Sequence, residues 1–151
     1  MNCDIIQLNP SAAATLTSLA LKSKAYWDYP AAWLDLWKED LKVDQEYFEK
    51  FMLYGIYRYN KIIGFYSYQL QDRTAYIDML FIDPIFIGRQ LGSRLLSHCL
   101  NKIKDHGIQT AYLYSDPHAQ VFYEKHGFCE TGKIKTAIQN RFLPIMTYQL
   151  D

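Results

Sequence analysis

The stretch of this 151-residue chain best suited to hold a ligand is Ile87-Gly88-Arg89-Gln90-Leu91-Gly92. It follows an alternating run rich in β-branched and aromatic residues, Thr74 to Ile82, which Asp83-Pro84 stops, and it leads into a run with helical spacing. A strand, a tight loop and a helix start in that order leave the free backbone N–H groups of a first helical turn pointing outward. The positive end of the helix dipole stands behind them, so the stretch reads as an anion site best suited to phosphate, with Arg89 as a nearby counter-charge. The same glycines also have a purely structural use, Gly88 turning the chain and Gly92 letting helix and strand approach.

Other chemistries lack their residues. There is no C-x-x-C or H-x-x-x-H pair, and Cys99 beside His98 lies on a helix, where adjacent side chains diverge, so no metal site is expected. G-x-S-x-G, the Walker pattern and G-x-G-x-x-G are absent, which removes the main support for hydrolase and nucleotide-fold readings. Cys3, Cys99 and Cys129 are odd in number and embedded in apolar patterns, and are expected to be buried free thiols in a reducing, cytoplasmic compartment. Cys129 follows Gly127-Phe128 in an apolar run, where burial explains it better than nucleophilic use.

Charge narrows the partners. Sixteen basic residues cancel sixteen acidic ones, giving no long-range pull toward nucleic acid or anionic lipid. No uninterrupted apolar run is long enough for a membrane span, and no basic segment followed by an apolar stretch opens the chain. No nucleic-acid partner, membrane or export is expected. Aromatics are abundant, with thirteen Tyr and three Trp, many of them between Tyr26 and Tyr68. They suit a pocket for a flat or cationic ligand, or simply the filling of core and strands.

Two segments resemble one family. Ile82-Asp83-Pro84 followed by Ile87-Gly88-Arg89-Gln90-Leu91-Gly92 is similar to the acetyl-CoA pyrophosphate loop of the GNAT N-acetyltransferases, Q/R-x-x-G-x-G/A, with Ile87 in place of Gln or Arg and Gln90 in place of the first Gly. Asp116-Pro117-His118-Ala119-Gln120-Val121-Phe122-Tyr123-Glu124-Lys125-His126-Gly127-Phe128 resembles the second signature, N-x-x-A-x-x-F-Y-x-K-x-G-F, with only the leading Asn replaced. The resemblance spans most of the chain. It implies acetyl transfer from acetyl-CoA to an amine of a small molecule or peptide by direct attack in a ternary complex. The alternative is a non-catalytic acyl-CoA-binding module on the same fold, motivated by the departures at Ile87 and Gln90.

The resemblance also distributes roles. Backbone N–H groups from Ile87, Gly88, Arg89, Gln90, Leu91, Gly92 and Ser93 would cradle the pyrophosphate, and a Cβ at Gln90 limits the approach. Phe81 and Ile82 would offer backbone to the pantetheine arm, as strand addition does for peptides, with His118 and Phe122 beside it. Tyr123 would protonate the departing thiolate, since a phenol of ordinary pKa ~10 is protonated at neutral pH. Asp78, sharing strand parity with Ile82, leads as the general base, ahead of Glu130 and His118. Trp27, Tyr29 and Trp33 are candidates for acceptor contacts, whereas Trp37 reads as a core anchor.

The elements that must position these residues are legible from periodicity. A strand over Asp4 to Leu8 leads through Asn9-Pro10-Ser11 into a helix to about Lys24, and Pro30 separates it from a second helix ending near Lys42. Asp44 to Lys50 reads as a short helical turn. Strands follow at Phe51 to Tyr59 and Ile62 to Leu70, joined at Asn60-Lys61, with Gly64 marking a bulge or close backbone approach. The central helix shows a stripe of Leu91, Leu95, Leu96, Cys99, Leu100 and Ile103, and Gly107 supplies its cap. A strand from Gln109 to Ser115, a helix opened by Asp116-Pro117 and closed by Gly127, and strands over Phe128 to Lys135 and Arg141 to Leu150 complete the chain. The expectation is one α/β (α+β) domain over residues 1–151, a mixed, mostly antiparallel sheet of about seven strands flanked by helices, which is the GNAT order. Pro144 implies an edge or bulge in the last strand, and an exposed Arg141-Phe142-Leu143-Pro144 would suit assembly of a homodimer.

Overall fold

The computed structural model describes residues 3–150. The strands are β1 (Asp4–Gln7), β2 (Met52–Arg58), β3 (Lys61–Gln71), β4 (Thr74–Ile82), β5 (Thr110–Tyr114), β6 (Cys129–Lys135) and β7 (Phe142–Gln149). The helices are α1 (Ala13–Ala25), α2 (Ala31–Trp37), α3 (Gln45–Lys50), α4 (Leu91–Asp105) and α5 (Gln120–Lys125). The seven strands form the expected single mixed sheet, in the order β1-β2-β3-β4-β5-β7-β6. Among the described residues only β4 and β5 pair in parallel, and they are joined by the α4 crossover that a parallel pair requires.

Each face of the sheet is covered by one of the two longest helices. The apolar stripe of α4, with Leu91, Leu95, Leu96, Cys99 and Ile103 all buried, packs with Tyr66, Tyr68, Ile77 and Met146. Leu16, Leu19 and Ala20 of α1 pack on the other face with Leu53, Phe65 and Met79. The turn between β2 and β3 is Tyr59-Asn60, one residue earlier than expected, and both residues have positive φ (52° and 63°), the requirement of a type I′ hairpin. His106 caps α4 and Gly107 follows at φ 76°, the left-handed exit the sequence indicates.

Gly64 serves both of its expected purposes. The register jumps from Ile56↔Gly64 to Tyr57↔Ile62, leaving Ile63 as a bulge, and a Cβ on Gly64 would lie 2.6 Å from Ile82 Cδ1 and 2.9 Å from the Phe81 carbonyl oxygen. Backbone cannot give way as a side-chain tip can. Gly64→Ala is expected to cost about 1–3 kcal/mol. Thermal unfolding should show a fall of roughly 3–10 °C, and an unchanged midpoint would refute the close approach.

The last strands differ from expectation. β7 is not an edge; it lies between β5 and β6, and Pro144 is buried within it. Pro144 is tolerated there because its carbonyl accepts from Ser115 N (2.9 Å), so its nitrogen faces the side where β5 has already ended at Tyr114. The true edge is β6, which carries Lys133 and Lys135 and an irregularity between Glu130 and Gly132, features that blunt edge-to-edge pairing. Cys129 starts this edge strand and is exposed, whereas Cys3 and Cys99 are buried free thiols as expected. Among the described residues, no helix is long and apolar enough to cross a membrane.

Candidate active site

β4 and β5 pair only from Thr74↔Thr110 to Tyr76↔Tyr112. Beyond Tyr76 they part. β4 continues to Ile82 against β3 alone, while Leu113 and Tyr114 of β5 pair with β7, so one edge of the β4 backbone is left without a strand partner. At the split the β3–β4 register passes from Tyr68↔Ile77 to Ser67↔Met79, which makes Asp78 an extra residue, and a bulge bends and twists its strand. A cleft of about 500 Å³ opens here, lined by Tyr76, Asp78 and Leu80 on one side and Ser115, Asp116 and Tyr123 on the other.

At the end of β4, buried Asp83 caps a 3₁₀ turn over Pro84–Phe86, accepting from Ile85 N at 3.2 Å, and pairs with Lys22 at 3.1 Å. The loop then runs exposed through Ile87, Gly88, Arg89 and Gln90 into α4. Gly88 (φ 88°) and Gln90 (φ 61°) both occupy the left-handed region. The first helical bond is Arg94 N to Gln90 O (3.2 Å), and among the described residues the backbone N–H groups of Gly88 through Ser93 meet no acceptor. That is a row of orphaned donors at the positive end of a 15-residue helix, and it fits a diphosphate. Leu91 contributes only backbone, its side chain being buried in the core. Phe122 packs against Gly92, and Ser93 Oγ lies 3.0 Å from His126 Nε2, so α5 is held against the start of α4.

Tyr123 projects from α5 into the cleft wall and is 7% exposed, its ring edge-on to Phe128 at 5.4 Å. Its hydroxyl has no hydrogen-bond partner among the described residues. Among the described residues no fully buried polar side-chain atom lacks a partner, so this oxygen reaches the open space of the cleft. Burial, then the neighbouring Cys99 thiol and Asp116 carboxylate, push the phenol above its ordinary pKa of 10.0. It is a proton donor at neutral pH.

Asp78 lies half-buried on the opposite face of β4 from Ile82. The parity expected between them fails because the bulge at Asp78 inverts the alternation, sending Ile77, Leu80 and Ile82 to the α4 face and Met79 and Phe81 to the α1 face. The Asp78 carboxylate accepts from the Tyr47 hydroxyl (2.6 Å) and the Tyr76 hydroxyl (2.9 Å). Burial first, and then the Asp78 charge, raise both phenols above their ordinary value, so both stay protonated. Tyr47 also meets Ser67 Oγ at 2.6 Å. Glu130 is exposed and bonded by Gln120 Nε2 (2.7 Å).

The third group, Asp116, stands at the leading Asn position of the second signature, where the resemblance assigns no role. Asp116 accepts from Lys24 Nζ (2.7 Å), the Tyr29 hydroxyl (2.7 Å) and His118 N (2.9 Å), with Arg141 Nη2 at 3.8 Å. Burial alone would raise its pKa, but Lys24, Tyr29 and the His118 amide outweigh burial and hold the carboxyl below the usual carboxylate value. Arg141, expected at an exposed edge, turns inward, its guanidinium carbon 5.2, 5.5 and 4.9 Å from the ring centroids of Tyr29, Trp33 and Trp37.

This cluster rearranges the expected acceptor side. Trp37 lines the cleft, while Trp27, Tyr29 and Trp33 do not. Trp27 stacks on His118 at 4.7 Å, and Tyr29 and Trp33 lie behind Arg141. The cause is the bend at Pro30, which starts α2 and sets the aromatic rings around the guanidinium. Among the described residues, no three His, Cys, Asp or Glu side chains are placed to hold a metal.

Comparison with known proteins agrees with this geometry. Residues 19–128 match the model of the acetyltransferase (GNAT) family. A PaiA N-acetyltransferase from Thermoplasma acidophilum, solved in complex with coenzyme A, superposes with a TM-score of 0.84 at 21% identity over 99% of this chain and 100% of that one. The ribosomal-protein-S18-alanine N-acetyltransferase of Escherichia coli gives 0.75 at 18% identity over 98% and 94%. An uncharacterized ycf52-like N-acetyltransferase of Prochlorococcus marinus is 38% identical over 47 residues, a match spanning 31% of this chain and only 26% of that relative. With the split sheet, the donor row at α4 and a family model covering most of its length, this chain belongs to the GNAT acetyltransferase family.

Proposed function

We propose that the protein transfers an acetyl group from acetyl-CoA to a primary amine within a ternary complex. The observation that carries this reading is the Tyr123 hydroxyl, which is protonated, has no protein partner and opens into the cleft that β4 lines beyond its pairing with β5. Acetyl-CoA supplies an activated thioester. The N–H groups of Gly88 through Ser93 hold its diphosphate, with Arg89 close by, and the free β4 backbone from Ile77 to Ile82 pairs with the amide-bearing arm; Ile87, His118 and Phe122 flank that path. Asp78, held in place by the Tyr47 and Tyr76 hydroxyls, accepts the proton that the amine gives up as its nitrogen bonds to the acyl carbon. As the carbon–sulfur bond breaks, Tyr123 gives its proton to the sulfur and is reprotonated from water.

Calorimetric titration with acetyl-CoA, followed by a thiol-release assay over an amine panel, tests the reading. Saturable binding with amine-dependent release is expected, whereas binding without release would leave an acyl-CoA-binding module. Gln90 sharpens the test. Gln90 is already left-handed in the free protein, so the cost of about 1 kcal/mol that glycine avoids bears on stability, and what bears on binding is its Cβ, which stands off a phosphate. Gln90→Gly is expected to tighten acetyl-CoA binding about fivefold. Weaker binding in the variant would mean that the glutamine side chain itself contacts the ligand.

A further inference from the structure

One end of the cleft holds more positive charge than it uses. Lys24, Asp116 and Arg141 form a cluster whose side chains are only 16%, 18% and 11% exposed. The carboxylate is heavily engaged, accepting from Lys24, Tyr29 and the His118 amide. The donors are not. Arg141 has five N–H groups, and only Nη2 is engaged, with the Tyr29 hydroxyl at 3.2 Å; Lys24 has three and makes one hydrogen bond. Both side chains line the cleft; among the described residues no fully buried polar side-chain atom lacks a partner, so the unpartnered Nε and Nη1 of Arg141 are accessible, and the Lys24 side chain is 16% exposed.

The cluster therefore carries a surplus of one positive charge, on a guanidinium fixed against the faces of Tyr29, Trp33 and Trp37. A planar fork with a restricted pose and free N–H groups is suited to a carboxylate. Asp78 supplies negative charge to the same cleft through a separate network that shares no hydrogen bond with the cluster. Asp40 and Lys135, the other charged side chains of the lining, are exposed and of opposite sign.

We propose that the acceptor is a small amino acid, its carboxylate held by Arg141 and Lys24 and its amine directed toward Asp78. Small size follows from Lys24, Arg141 and Asp78 lining one cleft of about 500 Å³, so that a molecule joining them must also leave room there for the acyl group. A diamine would meet Lys24 and Arg141 with its second charge and is disfavoured. The assignment rests on the acetyl-transfer reading for the fate of the amine, but the carboxylate site itself does not.

The test uses matched pairs on the full chain: glycine, β-alanine, γ-aminobutyrate, leucine and phenylalanine, each against the amine left when its carboxylate is removed, with putrescine as the diamine. Calorimetric titration of the CoA-saturated protein should show at least one amino acid binding tenfold or more tightly than its amine. Arg141→Gln should bring that pair within about twofold while leaving CoA affinity unchanged. Amines or putrescine binding as well as the amino acids, no amino acid binding at all, or a preference that survives in Arg141→Gln would overturn the proposal. Should Arg141→Gln lose its cooperative unfolding transition, the wild-type pairs decide alone. Thiol release separates the two readings: carboxylate preference in binding without release sinks acetyl transfer and keeps the site, and release driven best by plain amines does the reverse.

Discussion

Tyr123→Phe is expected to lower kcat by about a hundredfold or more, with the KM for acetyl-CoA changed by no more than about twofold. General acids contribute 10²–10⁴-fold when they meet the leaving group in the transition state. The substitution isolates that contribution well. The hydroxyl has no protein partner, so its removal orphans nothing, and the ring keeps its packing against Phe122 and Phe128. Burial has raised the phenol above its ordinary 10.0, so the wild-type enzyme keeps its donor throughout the neutral range and past the point where a free tyrosine ionises. The same shift affects stability. A group whose folded pKa is raised favours the fold below its unfolded pKa of ~10, and that contribution drains away as pH climbs from there. Steady-state rates from pH 6 to 10 should show no alkaline limb belonging to Tyr123 before unfolding begins. A variant retaining half the wild-type kcat would remove Tyr123 as the acid.

Asp116→Ala should be among the most destabilising single changes in the chain, about 3 kcal/mol, read as a drop of roughly 6–12 °C in the unfolding midpoint. The loss is not the value of one ion pair. Deleting the carboxylate leaves Lys24 and Arg141 as two mostly buried cations facing each other, together with a Tyr29 hydroxyl that has lost its acceptor. The double variant Lys24→Met with Asp116→Leu removes the close ion pair whole and leaves one cation, Arg141, which keeps its hydrogen bond to the Tyr29 hydroxyl, so it should recover part of the loss. The Asp116 carboxyl is held below its usual value, with Lys24 and the hydrogen bonds prevailing over burial, so its stabilisation is present above pH ~4 and fades as pH falls through the lower, folded pKa. Wild type and Asp116→Ala should therefore draw together in stability as pH falls below ~4. Midpoints measured at pH 7 and pH 3 check both parts, and a gap that persists undiminished in acid would assign the effect to packing instead of charge.

The features legible in the sequence are those written in neighbouring residues. The stripe of α4, its Gly107 exit, the stop at Asp83-Pro84, the turn at Asn60 and the two segments resembling GNAT signatures all depend on spacings within one element. Local chemistry therefore sufficed for the strand order along the chain, for the donor row before α4 and for placing Tyr123 on a helix behind it. The features decided only by the tertiary structure depend on which strand lies beside which, and in what register. One extra residue at Asp78 inverts the faces of the rest of β4, and no periodicity within β4 reveals it, because the bulge is defined against β3. Pro144 is an interior residue because β5 happens to end opposite it, and Cys129 is exposed because β6 follows β7 in space while preceding it in sequence. The Lys24–Asp116–Arg141 cluster is the extreme case, joining Lys24 of α1 to Asp116, 92 positions on, and to Arg141, both in connecting segments, none with a local pattern that marks a buried charge. A charged side chain in a sequence carries no record of its partner; only the packed chain, by excluding water from all three at once, turns those residues into a wall of the site.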